Sequence, residues 1–235
     1  MANDLLSGNS PDDYNASSIE VLEDMEHVRL RPGMYIGGKD ERALHHMVAE
    51  IIDNSMDEAV AGHATWIEVE LHETGNVTIR DNGRGIPTDE HPKHPGKSAL
   101  EIIFCTLNAG GKFSGENYET SGGLNGVGSS VVNALSDYLH VEVARNKQLV
   151  GMTFARGVPQ TKLEPLGAAP NRRGTAVTFH PDPEIFGALT LKPRTLFRMA
   201  RAKAYLLTGA EIRLKSVKDD CETPTQATFK FPGGL

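Results

Sequence analysis

The run Glu41–Val60, ERALHHMVAEIIDNSMDEAV, constrains the fold of this chain more than any other stretch. Leu44, Met47, Val48, Ile51, Ile52, Ser55 and Ala59 recur at helical spacing, which predicts an amphipathic helix from about Glu41 to Val60, ending at Gly62. At 100° per residue, with Glu50 at zero, Asn54 lies at about 40°, Asp57 at about −20° and Asp53 at about −60°. The apolar residues occupy roughly 60° to 240°. Glu50, Asn54 and Asp57 therefore form a polar stripe beside the buried face, where side chains would line the floor of a cleft. The plainer reading is a solvated acidic face, as most charged helix faces are.

The rest of the chain supports a soluble globular fold around that helix. Its 235 residues are 39% hydrophobic and 23% charged, enough to bury roughly 70% of the unfolded surface without disulfide staples. The net charge of −7 argues against a general nucleic-acid clamp. Cys105 and Cys221 form no CxxC pair and fit free thiols in a reducing compartment. No apolar run approaches ~20 residues, and MANDLLSGNSPDDYNASS lacks a basic segment followed by an apolar one. The reading is a cytoplasmic protein without a membrane span. Residues 1–18 are expected to be a mobile arm, and 19–235 a single domain.

Two strands are predicted after the helix. Ile67, Val69 and Leu71 alternate with Glu68 and Glu70, then Val77 and Ile79 with Thr78 and Arg80, across a turn at Thr74-Gly75-Asn76. Ser98 with Glu101 is a capping-box pattern that starts a second helix. Leu100, Ile103, Phe104 and Leu107 give its core stripe, and Gly110-Gly111 end it. A helix of VGSSVVNALS type follows, up to about Ser136. Further strands are expected near 139–145, 149–156, 174–180, 210–217 and 226–231, with a helix near 194–207. Helices and strands are segregated without a regular βαβ rhythm, so the fold class is α+β, a mixed sheet with helices on one face.

Two further segments carry chemistry. Asp81 falls in phase with the inward residues Val77 and Ile79, and a carboxylate there needs a specific donor, from protein or from a ligand amine. Gly83 and Gly85 would let backbone approach a flat ligand closely. The segment AGGKFSGENYETSGGLNGVGSS is glycine-rich and opens onto a helix start, a pattern suited to phosphate, with Lys112 as a point charge. HPGKS at 94–98 only imitates a phosphate loop, because His91 stands where its first glycine belongs and Pro92 and Pro95 interrupt it. His45-His46 and His91/His94 lack further ligands at metal spacing and read as structural or surface residues.

Taken in order, Glu50-xxx-Asn54 with Asp57-Glu58, DNGRGIP at 81–87, SGGLNGVG at 121–128 and Gly174-Thr175 resemble the ATP-binding domain of type IIA DNA topoisomerases. That GHKL superfamily also holds heat-shock-90 chaperones, sensor histidine kinases and mismatch-repair ATPases. RPGMYIG and VVNALS point to the bacterial gyrase and topoisomerase IV branch, and HPKHPGKSALE and GGKFSGENYETSGG look closer to topoisomerase IV.

The resemblance implies ATP and Mg²⁺ as cofactors and a role for each matched residue. Glu50 would be the general base for the attacking water, and Asn54 the Mg²⁺ ligand, beside Asp57 and Glu58. Asp81 would accept from the adenine amino group with Thr175 nearby. Gly83, Arg84, Gly85, Ile86 and Pro87 would form one wall, with Arg145 at the rim. Lys112, Tyr118, Gly123, Leu124, Asn125, Gly126, Val127 and Gly128 would form a lid over the phosphates, and Tyr14 and Ile19 an arm reaching the partner subunit. The implied partners are a second copy, the DNA-cleaving subunit, and DNA held by regions outside this segment. Asn125 stands where the family usually has His, which predicts that binding survives with an altered phosphate contact. The family's transducer-domain lysine would lie beyond FPGGL. The chain is thus expected to be domain-sized, to bind ATP, to turn it over poorly and to stay largely monomeric. The competing reading is a nucleotide-binding switch without productive hydrolysis.

Overall fold

The computed structural model describes residues 22, 24–109, 126–207, 209–217 and 220–233. Three helices come first: α1 (Asp24–Leu30), α2 (Gly33–Ile36) and α3 (Glu41–Val60). The hairpin β1 (Trp66–Leu71) and β2 (Val77–Asp81) leads to α4 (Ala99–Cys105) and α5 (Gly128–Ala134). Strands β3 (Ser136–Arg145), β4 (Gln148–Ala155), β5 (Val158–Pro159), β6 (Glu164–Ala168) and β7 (Gly174–Pro181) follow. The described residues close with α6 (Pro183–Phe186), α7 (Pro193–Leu206), β8 (Glu211–Ser216) and β9 (Gln226–Phe229).

Among the described residues the strands form one sheet in the order β5-β4-β3-β7-β2-β1-β8-β9, with β6 beside β4. Neighbours run antiparallel except β1 and β8, which are parallel, with Ile67 opposite Ile212. Alternation decides which face is covered. Ile67, Val69, Leu71, Val77, Ile79, Leu139, Val141, Val143, Phe179, Ile212 and Leu214 are all buried, and α3, α5 and α7 pack against the sheet. The mixed sheet of the expected α+β fold is thus present. Its core runs from Val28 to Leu214 and includes the stacked pair Phe104 and Phe154.

Helix α3 has the predicted bounds. Asp40 caps it by accepting from the Ala43 N–H at 2.8 Å, and Gly62 follows its end at φ +77°. Its buried His45 is structural. The Lys192 N–H can only donate to Nε2 (2.9 Å) and the Glu41 carbonyl can only accept from Nδ1 (2.7 Å), which fixes a neutral tautomer that ties α3 to the start of α7. Asp53 pairs with Lys203 on the same side, so α3 is anchored to α7 along one edge.

The second helix is shorter than expected. It starts at the predicted cap, with Ser98 accepting from Glu101 N–H, but stops at Cys105. The Asn133 amide donates to the Phe104 carbonyl at 2.8 Å, taking the acceptor the next turn needs. Ile102 is buried in place of Ile103, which faces the cavity described below, and Leu107 lies beyond the helix end. The short elements α1, α2, β5, β6 and α6 are not legible in the sequence, since two to seven residues carry too little periodicity. The arm at 1–18 and most of the glycine-rich segment, 110–125, lie outside the described residues.

Candidate functional site

A cavity of about 970 Å³ opens between α3, the end of β2, the loop after it, α4 and the start of α5. Its floor is one face of α3, where Glu50, Ile51, Asn54, Ser55 and Glu58 line it. The expected stripe is rotated. On the wheel used above Glu58 lies at about 80° and Ser55 at about 140°, so the cavity faces Asn54 and Glu58. Asp57 does not line it and is buried at 3% exposure. Anchoring of α3 to α7 through Asp53 and His45 sets this rotation, which the helical period by itself leaves open.

Asp81 closes the inner end, as its phase on β2 required. Its Oδ1 accepts from the Gly83 N–H at 2.8 Å and the Thr175 N–H at 3.3 Å, and its Oδ2 from the Ser55 hydroxyl at 3.1 Å. Burial pushes the carboxyl from its ordinary 3.8 up to about 6. The three hydrogen bonds oppose that rise, and the charge of nearby Glu58 adds to it. Ser55 is a site residue that the helical period marks only as part of the buried face. Its signal was a hydroxyl in an apolar phase.

The DNGRGIP turn divides into support and lining. Asn82 supports the hairpin, accepting from the N–H groups of Thr65 and Trp66 at 2.8 and 3.1 Å. Gly83 sits behind Asp81 rather than on the cavity, with Glu58 Oε2 only 2.8 Å from where a Cβ would stand. Arg84, Gly85, Ile86 and Pro87 do line the cavity. Arg84 is gripped by Glu58, which accepts from its backbone N–H at 2.9 Å and from Nη2 at 2.8 Å. Arg145 donates Nη1 to the Gly85 carbonyl at 2.8 Å, and Thr175 Oγ1 accepts from the Ile86 N–H at 3.2 Å. Gly174 lets β7 come this close: it holds φ +104°, and a Cβ there would collide with the Asp81 carbonyl.

At the other end, Gly126, Val127, Gly128 and Ser129 line the cavity as the chain enters α5. A Cβ on Gly128 would strike Glu50 Oε2, so glycine there leaves room for the carboxylate. Glu50 Oε1 lies 3.2 Å from His46 Nε2. Asn54 donates its amide nitrogen to Ser129 Oγ at 3.0 Å, which turns its carbonyl oxygen away from Ser129. The expected site residues Lys112, Tyr118, Gly123, Leu124, Asn125, Tyr14 and Ile19 lie outside the described residues. Tyr35 and Ile36 from the four-residue helix α2, and His91, Lys93 and His94 from the loop before α4, also line the cavity; segments this short or irregular carry no period that marks them in the sequence.

A carboxylate and an amide one helical turn apart, facing a buried aspartate across a cavity on a one-sided mixed sheet, define a class. Residues 39–185 match the family described as histidine kinase-, DNA gyrase B-, and HSP90-like ATPase, and the chain belongs to that family. Within it, the chain is 56% identical over 227 residues to the DNA topoisomerase 4 B protein of Bartonella bacilliformis, covering 94% of this chain and 33% of that protein. It is 49% identical over 222 residues to the DNA gyrase B protein of Thermotoga maritima, covering 94% and 34%. The crystal structure of the 43K ATPase domain of Thermus thermophilus gyrase B, in complex with an aminocoumarin, matches with a TM-score of 0.76 at 42% identity. That match covers 89% of this chain and 52% of the other. The chain spans about a third of the length of the curated relatives it matches. Among the described residues no helix is long and apolar enough to cross a membrane.

Proposed function

We propose that this chain binds and hydrolyses ATP as the nucleotide-binding part of a bacterial type IIA topoisomerase of the topoisomerase IV kind, where nucleotide drives closure of a dimer and passage of DNA. The observation that carries the reading is the shared cavity: Asp81 at its buried end, and Glu50 and Asn54 on one face of α3. Asp81, already holding three protein donors, is a directional acceptor for the exocyclic amine of adenine, and Thr175 beside it offers a hydroxyl. Ile86, Pro87 and Ile103 give the flat base apolar walls.

The phosphates extend toward the turn 126–129, and Glu50 takes the proton of the attacking water. Mg²⁺ fits this donor set. It keeps most of its waters, takes one or two protein oxygens and otherwise binds phosphate, so the Asn54 carbonyl oxygen suffices. Among the described residues no group of three or more acidic, His or Cys side chains could hold a metal ion unaided. When bound, the ion neutralises phosphate charge. The second copy, the DNA-cleaving subunit and DNA itself belong to the same proposal.

Equilibrium binding of an ATP analogue tests it. Asp81→Asn is expected to weaken affinity roughly 10–150-fold, the loss of a charged acceptor. An unaltered Kd would mean that adenine is read elsewhere. In a chain of its relatives' length, Glu50→Ala should keep binding and abolish turnover, whereas unchanged turnover would leave only the switch reading. The 49% identity to a gyrase protein keeps gyrase as the second reading within the class.

A further inference from the structure

The cavity lining is rich in negative charge. Glu50, Glu58 and Asp81 all line it, on a chain of net charge −7. An anionic occupant must find cations there or lose its hydration uncompensated. Among the described lining residues six can be cationic: His46, Arg84, His91, Lys93, His94 and Arg145. Three of them are already engaged. Arg84 is gripped by Glu58, Arg145 donates to the Gly85 carbonyl, and His46 faces Glu50. The other three come from the loop between Pro87 and α4, where His91 Nδ1 accepts from the Lys93 N–H at 3.3 Å. Lys93 makes no side-chain hydrogen bond or ion pair among the described residues, and the His91 and His94 rings contact each other with centroids 5.1 Å apart.

This loop has a defined shape. Glu90 and Ser98 form a β-bridge, His91 N–H donates to the Lys97 carbonyl at 2.8 Å, and Ala99 N–H to the Asp89 carbonyl at 2.8 Å. Glu90 also accepts from the Gly96 N–H at 2.7 Å, and Pro92 and Pro95 stiffen the span. Its other lysine, Lys97, is taken by Glu101 at 3.4 Å. The loop thus holds a cation at the cavity wall without giving it a protein counter-charge among the described residues.

We infer that the loop 88–98 is a cationic rim that contacts the anionic part of the bound nucleotide, with Lys93 adding a phosphate contact to that of the turn 126–129 and His91 and His94 flanking it. The inference rests on the ATP reading above and goes beyond the motif residues that define the family match. A lysine at the solvent edge acts as a point charge, so its contribution is electrostatic and screened by salt.

The test uses the 235-residue chain with Lys93→Ala and Lys93→Glu, titrated with a non-hydrolysable ATP analogue and with adenosine at low and high salt. Lys93→Ala should weaken the triphosphate about five- to tenfold at low salt, and Lys93→Glu more, with the loss shrinking at high salt. Adenosine affinity should stay constant, which also reports an intact cavity. Unchanged triphosphate affinity in both variants overturns the inference, and so does an equal loss for adenosine. A parent chain that binds neither ligand overturns the ATP reading itself, an outcome distinct from both.

Discussion

Asp81 keeps a carboxylate where burial opposes its charge, and this sets a conflict between stability and binding. Its folded carboxyl titrates at about 6 against an ordinary 3.8, so the fold holds the proton more tightly than the unfolded chain does. The stability tied to that proton is fully present below the ordinary value and is lost as pH rises through the folded one. Asp81→Asn should therefore raise the stability of the ligand-free chain near neutral pH by about 1–3 kcal/mol, while weakening nucleotide binding. The gain should disappear below about pH 4, which urea melts across the acid range would reveal. A variant less stable than the parent at neutral pH would mean that the hydrogen bonds outweigh burial. Gly128 makes a second residue-scale case. An alanine Cβ there would displace the Glu50 carboxylate, so in a chain of its relatives' length Gly128→Ala should lower turnover about 100-fold with adenosine binding retained. Equal kcat values would show that Glu50 can move without loss.

Among elements, the corner where α1 meets the end of β7 depends on one buried acid. Asp182 has a fully buried side chain that lies 2.8 Å from Arg29 and 2.9 Å from Arg156, and it caps α6 through the Glu184 N–H. Burial raises its pKa, but the hydrogen bonds from Glu184 and Arg29 and the charges of both arginines prevail and hold it below the ordinary carboxylate range. The sign is opposite to that of Asp81: this stability is present above the ordinary carboxylate pKa and is lost as pH falls through the lowered folded value. Asp182→Ala should cost about 2–4 kcal/mol, less than a fully buried pair because both arginines are partly exposed. A urea midpoint within error of the parent would show that this corner does not depend on Asp182. The elements themselves are largely legible in the amino-acid order. The bounds of α3 and the Ser98 cap followed from spacing and cap chemistry, which are local. The early stop of α4 was not readable, because the Asn133 amide that takes its carbonyl comes from another helix.

On the scale of the whole molecule, the cavity joins α3, the β2 end, α4 and α5, so a ligand that fills it ties together elements distant in the chain. An ATP analogue at 100 times its Kd should add about 2.7 kcal/mol, a rise of roughly 5–10 °C in Tm for a domain of this size. Asp81→Asn should start from a higher Tm at neutral pH and show a much smaller shift at the same ligand concentration. A full-sized shift in that variant would detach Asp81 from the nucleotide.

The amino-acid order alone determined the helix 41–60, the inward phase of Asp81, the sheet with helices on one face, and the motif residues that mark the family. Each of these depends on contacts between near neighbours or on a period repeated along one element. Tertiary structure decided that Glu58 rather than Asp57 faces the cavity, that Gly83 backs Asp81 while Gly85 meets the opening, and that the proline-bounded loop turns Lys93 to the wall. A period fixes the angle between side chains on one helix. The direction in which that helix faces is set by partners such as Lys203 and Lys192, far away in the chain.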